Sequence, residues 1–183
     1  MSDLKKIVPT KLLWVDLEMT GLDPNKDVII EVAAEVTDFD FKTLGSYESL
    51  VGYPQKLIEE RMQANVWWKD YPENRDSFLK NLSKAPSSEH VQKELIAFVE
   101  QYFGNEPAIL AGNSIHSDKK FIEKWWPGLD LKLHYRMLDV TSFKILMQGQ
   151  GRGEYIKKDV HRAFDDIQAS IAELQFYLEK LKK

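Results

Sequence analysis

Residues 12–21 read LLWVDLEMTG, an apolar run interrupted by Asp16 and Glu18. The run has the character of a buried strand, and side chains two apart on a strand point to the same face. Two like charges on one half-buried face cost several kcal/mol unless something positive sits between them. A divalent metal ion is the natural candidate, and a strand end facing water is the structural alternative.

The rest of the chain places that strand. Lys11 to Glu18 is expected as the first strand, Asp27 to Thr37 as the second and Thr43 to Val51 as the third, separated by the turn stretches GLDPNKD and DFDFK. Short connections make these an antiparallel meander. Beyond Tyr53-Pro54 the pattern turns helical. Ser87 or Ser88 can cap a helix carrying Val91, Leu95, Phe98, Val99 and Tyr102, ended by Gly104. Ala108 to Ala111 reads as a fourth strand, followed by a helix from Ser114 to Trp126. Met137 to Val140 reads as a fifth strand, with Thr141 or Ser142 capping the helix after it. The last helix bears the stripe Phe164, Ile167, Ile171, Leu174, Leu178 and Leu181. The expected fold is α/β: a mixed five-stranded sheet flanked by helices, with strands 1–3 antiparallel, strands 4 and 5 parallel, and strand 1 central.

The chain has 183 residues, 43% of them hydrophobic, and is expected to form one domain over 1–183. A formal net charge of −4 argues against electrostatic coating of long nucleic acid, while a small nucleic-acid substrate held by metals remains compatible. There are no cysteines and four histidines, so any metal must be held by oxygen and at most those imidazoles. No segment approaches 18 consecutive apolar residues and the first ten residues lack a signal-peptide core. A soluble cytoplasmic protein without a membrane partner is expected.

Three more residues join the first pair. Asp118 follows Ala-Gly-Asn-Ser early in a helix, where by itself it complements the helix dipole. Asp166 opens the C-terminal helix beside Asp165, five residues after His161. Five residues rotate about 140° on a helix, so His161 can share a site with Asp166 only from the loop entering it. The glycines of GQGRGEYIKKDV suit such a loop, which is expected to act as a flexible lid. His90, His116 and His134 lack comparable context. Four carboxylates and a histidine suit two-metal phosphodiester hydrolysis, with Mg²⁺ or Mn²⁺ on the oxygens and the histidine as general base.

Asp16-Leu17-Glu18, Asn113 through Asp118 and His161 through Asp166 resemble, in order and spacing, the three motifs of the DEDD exonuclease superfamily in its histidine subclass, which has a ribonuclease H-like fold. Four blocks, DLEMTGLDP (16–24), AGNSIHSDKKF (111–121), LHYRMLDV (133–140) and HRAFDDIQASIAELQFY (161–177), narrow the resemblance to the oligoribonuclease family. The resemblance implies a homodimeric 3′-to-5′ exonuclease needing Mg²⁺ or Mn²⁺, which degrades short single-stranded RNA down to dinucleotides and yields 5′-mononucleotides. It implies metal ligation by Asp16, Glu18, Asp118 and Asp166, with His161 as base and Asp165 displaced by the motif's spacing. Leu22 would wedge between two bases. Ser114, Arg136, Thr141 and Ser142 would cap the 5′ phosphate, and Tyr135 would reach the partner's site.

Three segments depart from the family pattern. Thr141-Ser142 stands where Ser-Thr is usual, and QANVWWKDY offers Trp67 and Trp68, each able to stack a base or fill a core, without the usual histidine. MQGQGRGEY replaces a usual Trp-Pro element. An exonuclease trimming longer 3′ ends and an inactive nucleic-acid-binding module are the alternatives. The filled motif positions disfavour the inactive module, and the acidic charge disfavours the trimming enzyme.

Overall fold

The strand β1 (Leu12–Met19) is flanked on both sides, as its apolar sequence requires. The computed structural model describes residues 8–156 and 162–182. In it β1 lies between β2 (Ile29–Thr37) and β4 (Ala108–Gly112), while β3 (Thr43–Leu50) and β5 (Leu133–Asp139) form the edges. The pairs β1–β2 and β2–β3 are antiparallel, and β1–β4 and β4–β5 are parallel. This is the expected mixed sheet, with β5 reaching β1 only through β4.

Helices cover both faces. Leu13, Val15 and Leu17 belong to one cluster with Val91, Leu95 and Val99 of α4 (Ser88–Phe103) and with Phe121 and Ile122 of α5 (His116–Trp125). Leu12 and Trp14 point the other way, into a cluster with Ile167, Ile171 and Leu174 of α8 (Ala163–Leu181). Those are the inner positions of the predicted stripe, and its last member, Leu181, is exposed at the helix end. A third cluster joins α1 (Gln55–Ala64), α2 (Trp67–Asp70) and α3 (Pro72–Leu82) to Val28 and Ile30 through Ile58, Met62, Trp68 and Phe78. The short α6 (Pro127–Asp130) follows α5, and α7 (Val140–Gly149) follows β5. Among the described residues no helix is long and apolar enough to cross a membrane.

Ser87 caps α4 and Gly104, at φ 58°, ends it, as the sequence predicts. Several boundaries shift by a residue or two, and three differences have an identifiable local cause. β5 begins at Leu133, four residues before the predicted start, because its pairing with β4 starts at Ala108↔Leu133. Asp139, rather than Thr141 or Ser142, caps α7: its carboxylate accepts the Thr141 N–H at 2.9 Å. α5 starts at His116 because Ser114 adopts φ 49°, outside helical space.

β1 and β4 part early. Their pairing is confined to Leu13↔Leu110 and Trp14↔Ala111, whereas β2 follows β1 as far as Met19. Past Trp14 the centre of the sheet is open on one side, at the carboxyl ends of its parallel strands, where open α/β sheets characteristically hold their ligands. Truncating the buried stripe away from this opening should affect stability alone. Leu174→Ala is expected to cost about 2–5 kcal/mol in urea unfolding, and a loss below about 1 kcal/mol would show that this stripe does not anchor α8.

Candidate active site

Asp16 and Glu18 follow Leu12 and Trp14 on the face of β1 that carries α8, and Asp166 stands in the first turn of that helix. One carboxylate oxygen from each of the three lies within 4.8 Å of the other two. Asp118 approaches from α5, on the other face, and is 7% exposed. Its Oδ1 accepts the Leu17 N–H at 3.1 Å. The parting of β1 from β4 frees that N–H, so Asp118 does more than complement a helix dipole.

Crowding shows in the acidities. Burial, then the charges of Asp16, Asp166 and Glu31, push Glu18 up from its ordinary 4.5 to about 8, with Arg162 acting in the opposite direction. Burial and the nearby Asp16 also raise Asp118 well above the carboxylate range. Hard divalent cations prefer such oxygen-only donor sets, and a cation would remove the repulsion that holds a proton on Glu18. The residues therefore fit a divalent metal.

Two features of this corner escaped the sequence reading. Glu31 stands opposite Glu18 in the β1–β2 register and takes the Arg162 guanidinium, with Nη2 donating at 2.6 Å and Nε at 3.1 Å. The Ala163 N–H donates to the same carboxylate at 3.3 Å, so Glu31 ties the start of α8 to the sheet. The available signal was a pair of glutamates, Glu31 and Glu35, inside the otherwise apolar IIEVAAEVT; both are buried. His161, the predicted base, lies outside the described residues, immediately before Arg162.

Beside Glu18 the chain turns. Asp27 braces the turn by accepting from Thr20 Oγ1 at 3.0 Å and from the Asp23 N–H at 2.9 Å. A side chain at Gly21 would meet the Asp27 carboxylate at 2.5 Å, which explains the glycine. Leu22 projects from this turn, 84% exposed. With Glu18, Asn65, Trp67 and Trp68 it lines a cavity of about 260 Å³. Trp68 is a core residue whose Nε1 donates to the Thr20 carbonyl at 2.9 Å. Trp67 lines the cavity with its ring stacked on Tyr71, centroids 4.4 Å apart.

A polar corner forms where β4 and β5 end. The Ser114 N–H donates to Asp139 Oδ1 at 3.0 Å and to Thr141 Oγ1 at 2.9 Å. Ser142 is exposed in the first turn of α7. Tyr135, 76% exposed, and Arg136 lie on the edge strand β5, the guanidinium 5.2 Å from the Tyr135 ring. The structure thus gathers Asp16, Glu18 and Asp166 in one cluster with Asp118 behind it, Leu22 on one flank, and Ser114 and Thr141 in a separate corner. Of the segment predicted as a lid, Gly151 and Gly153 adopt φ 65° and 91°, and Glu154 pairs with Lys144 at 2.8 Å.

The acidity of Glu18 makes stability depend on pH and metal together. Between 4.5 and about 8 the folded metal-free protein holds a proton that the unfolded chain has released, so stability falls as pH rises through that window. A cation needs the ionised form and displaces the proton, so its affinity grows in the same direction. The EDTA-treated protein is expected to melt progressively lower from pH 5 to pH 8, and Mn²⁺ to raise the melting temperature most at pH 8. A Mn²⁺ effect independent of pH would remove Glu18 from the ligand set.

The exonuclease domain model RNase_T matches residues 13–174. An oligoribonuclease of Francisella tularensis subsp. tularensis is 40% identical over 172 residues, spanning 93% of this chain and 95% of that protein. The mitochondrial oligoribonuclease of Bos taurus is 37% identical over 179 residues, spanning 94% of this chain and 74% of that one. Among solved structures, the zinc-bound E. coli exonuclease I complex with single-stranded DNA is similar at a TM-score of 0.65 and 12% identity, over 95% of this chain. Another exonuclease I complex, with a 5cy-dA13 oligonucleotide, gives 0.61 at 11% identity over 93% of this chain. The chain spans 41% and 42% of those two proteins, and the likeness to them concerns the fold. With a domain model covering most of its length and relatives at this identity, the chain belongs to the oligoribonuclease family of exonucleases.

Proposed function

We propose that this chain is a single-domain cytoplasmic 3′-to-5′ exoribonuclease that hydrolyses very short single-stranded RNA, dinucleotides included, to 5′-mononucleotides. The observation that carries this is the convergence of Asp16, Glu18 and Asp166 directly beside the cavity bounded by Leu22 and Trp67. Two divalent ions, Mg²⁺ or Mn²⁺, held by Asp16, Glu18, Asp118 and Asp166, would supply charge stabilisation at the scissile phosphate and an acidified water. His161 takes a proton from the attacking water as its oxygen bonds to phosphorus, the bond from phosphorus to the 3′ oxygen breaks, and that oxygen takes up a proton from solvent to leave as a hydroxyl. Leu22 wedges between the two bases and Trp67 stacks on the terminal one. At the other end the 5′ phosphate would be received by Ser114, Arg136, Thr141 and Ser142, Arg136 through a planar fork able to bond two oxygens. A homodimer belongs to the same proposal, supported by exposed Leu131, Tyr135, Ile145 and Leu146 around β5 and α7, with Tyr135 reaching the partner's site.

The test uses 5′-labelled RNA of two, five and twenty nucleotides with Mg²⁺, Mn²⁺ or EDTA. The dimer and pentamer should be degraded to mononucleotides in either metal, EDTA should stop the reaction, and Asp16→Ala should be inactive. His161→Ala should bind metal normally and be slower by about 10²-fold or more. A surviving dinucleotide beside a shortened 20-mer would favour trimming of long 3′ ends, and no cleavage would favour a binding module. Sedimentation should return a two-chain mass, and a single-chain mass removes the homodimer.

Trp67→Ala should raise KM for the dinucleotide by about 5- to 150-fold, the loss of one base stack at about 1–3 kcal/mol, with the fold intact by circular dichroism. An unchanged KM would place the terminal base elsewhere.

A further inference from the structure

Buried polar side chains of α8 that take no part in the acidic cluster form a chain of hydrogen bonds ending at Ser114. Glu173, 3% exposed, accepts from the Tyr177 hydroxyl at 2.8 Å and from Asn113 Nδ2 at 2.9 Å. The other proton of that amide goes to Ser170 Oγ at 2.9 Å, and the Ser170 hydroxyl donates to the Asp166 carbonyl at 2.8 Å. With both amide protons committed to α8, Asn113 turns its Oδ1 to Thr141, whose hydroxyl donates to it at 3.3 Å. Thr141 Oγ1 in turn accepts the Ser114 N–H at 2.9 Å and lies 3.2 Å from Ser114 Oγ.

The chain has a direction, and Glu173 sets it. Asn113 presents its nitrogen to Glu173 Oε2 and to Ser170 Oγ, whose own proton goes to the Asp166 carbonyl, so its oxygen is the atom left to face Thr141. The single hydroxyl proton of Thr141 is then spent on Asn113 and cannot also serve a ligand. Ser114 needs such support, because its φ of 49° is a backbone region that side chains other than glycine rarely occupy.

We propose that Glu173, acting through Asn113 and Thr141, is a positioning residue that holds Ser114 where its hydroxyl meets the 5′ phosphate of the substrate. Thr141 then belongs to this relay and accepts the Ser114 hydroxyl at 3.2 Å, a bond Ser114 exchanges for the phosphate, where it donates beside Ser142 Oγ and Arg136. The relay begins about two turns beyond Asp166 on the same helix, so it also fixes the distance between the acidic cluster and the 5′ end. This rests on the assignment of that corner to the 5′ phosphate, and the experiment separates the two.

The measurement is kcat/KM for a 5′-phosphorylated dinucleotide divided by that for the same dinucleotide with a 5′ hydroxyl, with a thermal melt of each variant. Thr141→Val and Glu173→Gln are expected to lower this ratio about tenfold, through KM of the phosphorylated substrate, as loss of an oriented hydrogen bond does. Thr141→Ser, which keeps the hydroxyl, should restore the ratio. Should Glu173→Gln fail to fold, Asn113→Ala, which cuts the link between Glu173 and Thr141 without removing a phosphate donor, decides the matter by the same ratio. A lowered melting temperature with an unchanged ratio makes the chain merely structural and overturns the proposal. A ratio that falls in Arg136→Ala but not in Thr141→Val overturns the relay and leaves the 5′-phosphate corner standing. A ratio unmoved by Arg136→Ala overturns both.

Discussion

Repulsion among Asp16, Glu18, Asp118 and Asp166 grows steeply as water is withdrawn, because charges in a partly buried site interact at an effective dielectric far below that of bulk solvent. Much of the architecture answers that repulsion. α5 and α8 approach from opposite faces of the sheet, and each brings its acid in the first turn, where the helix dipole favours negative charge. Asp118 takes a backbone N–H that the splayed sheet leaves open, and Glu18 keeps its proton. Arg162 supplies positive charge close by, although Glu31 occupies it. These devices reduce the cost without removing it, and the residual demand for a cation is the property that makes the cluster useful.

Around the acids lie two environments of opposite character. Toward Leu22 the surface is apolar and aromatic, with few polar partners for a ligand, so recognition there depends on shape and stacking. Toward Ser114 it is dense in directed hydrogen bonds, so recognition there depends on the placement of donors.

The sheet was largely legible in the sequence because its strands are apolar and punctuated by turn residues, and α4 and α8 because their stripes keep a helical period. The acids were legible because charge inside an apolar run is conspicuous. Hidden features share another physics: they depend on which polar groups become neighbours after folding. Asp139 is a strand residue in sequence and structure alike, and nothing local says that its carboxylate will reach two residues on to cap α7. Glu31 and Arg162 lie 131 positions apart, and their pairing follows from the β1–β2 register and the entry of α8 together. Trp67 and Trp68 are chemically identical in the sequence; the fold buries Trp68, whose indole donates to the Thr20 carbonyl, and leaves Trp67 partly buried and stacked on Tyr71.

The Asp27-braced turn behind Leu22 carries a final consequence. Thr20, Asp23, Asp27 and Val28 close it with their own hydrogen bonds, and Trp68 and Asn65 pin it from outside, so the cavity wall exists before any ligand arrives. A ligand entering a preformed cavity loses its own freedom but does not have to order the protein as well. Preorganisation of this kind lets small molecules bind usefully with few contacts. It also makes the wall unforgiving, since an occupant of the wrong shape meets a surface that cannot relax around it.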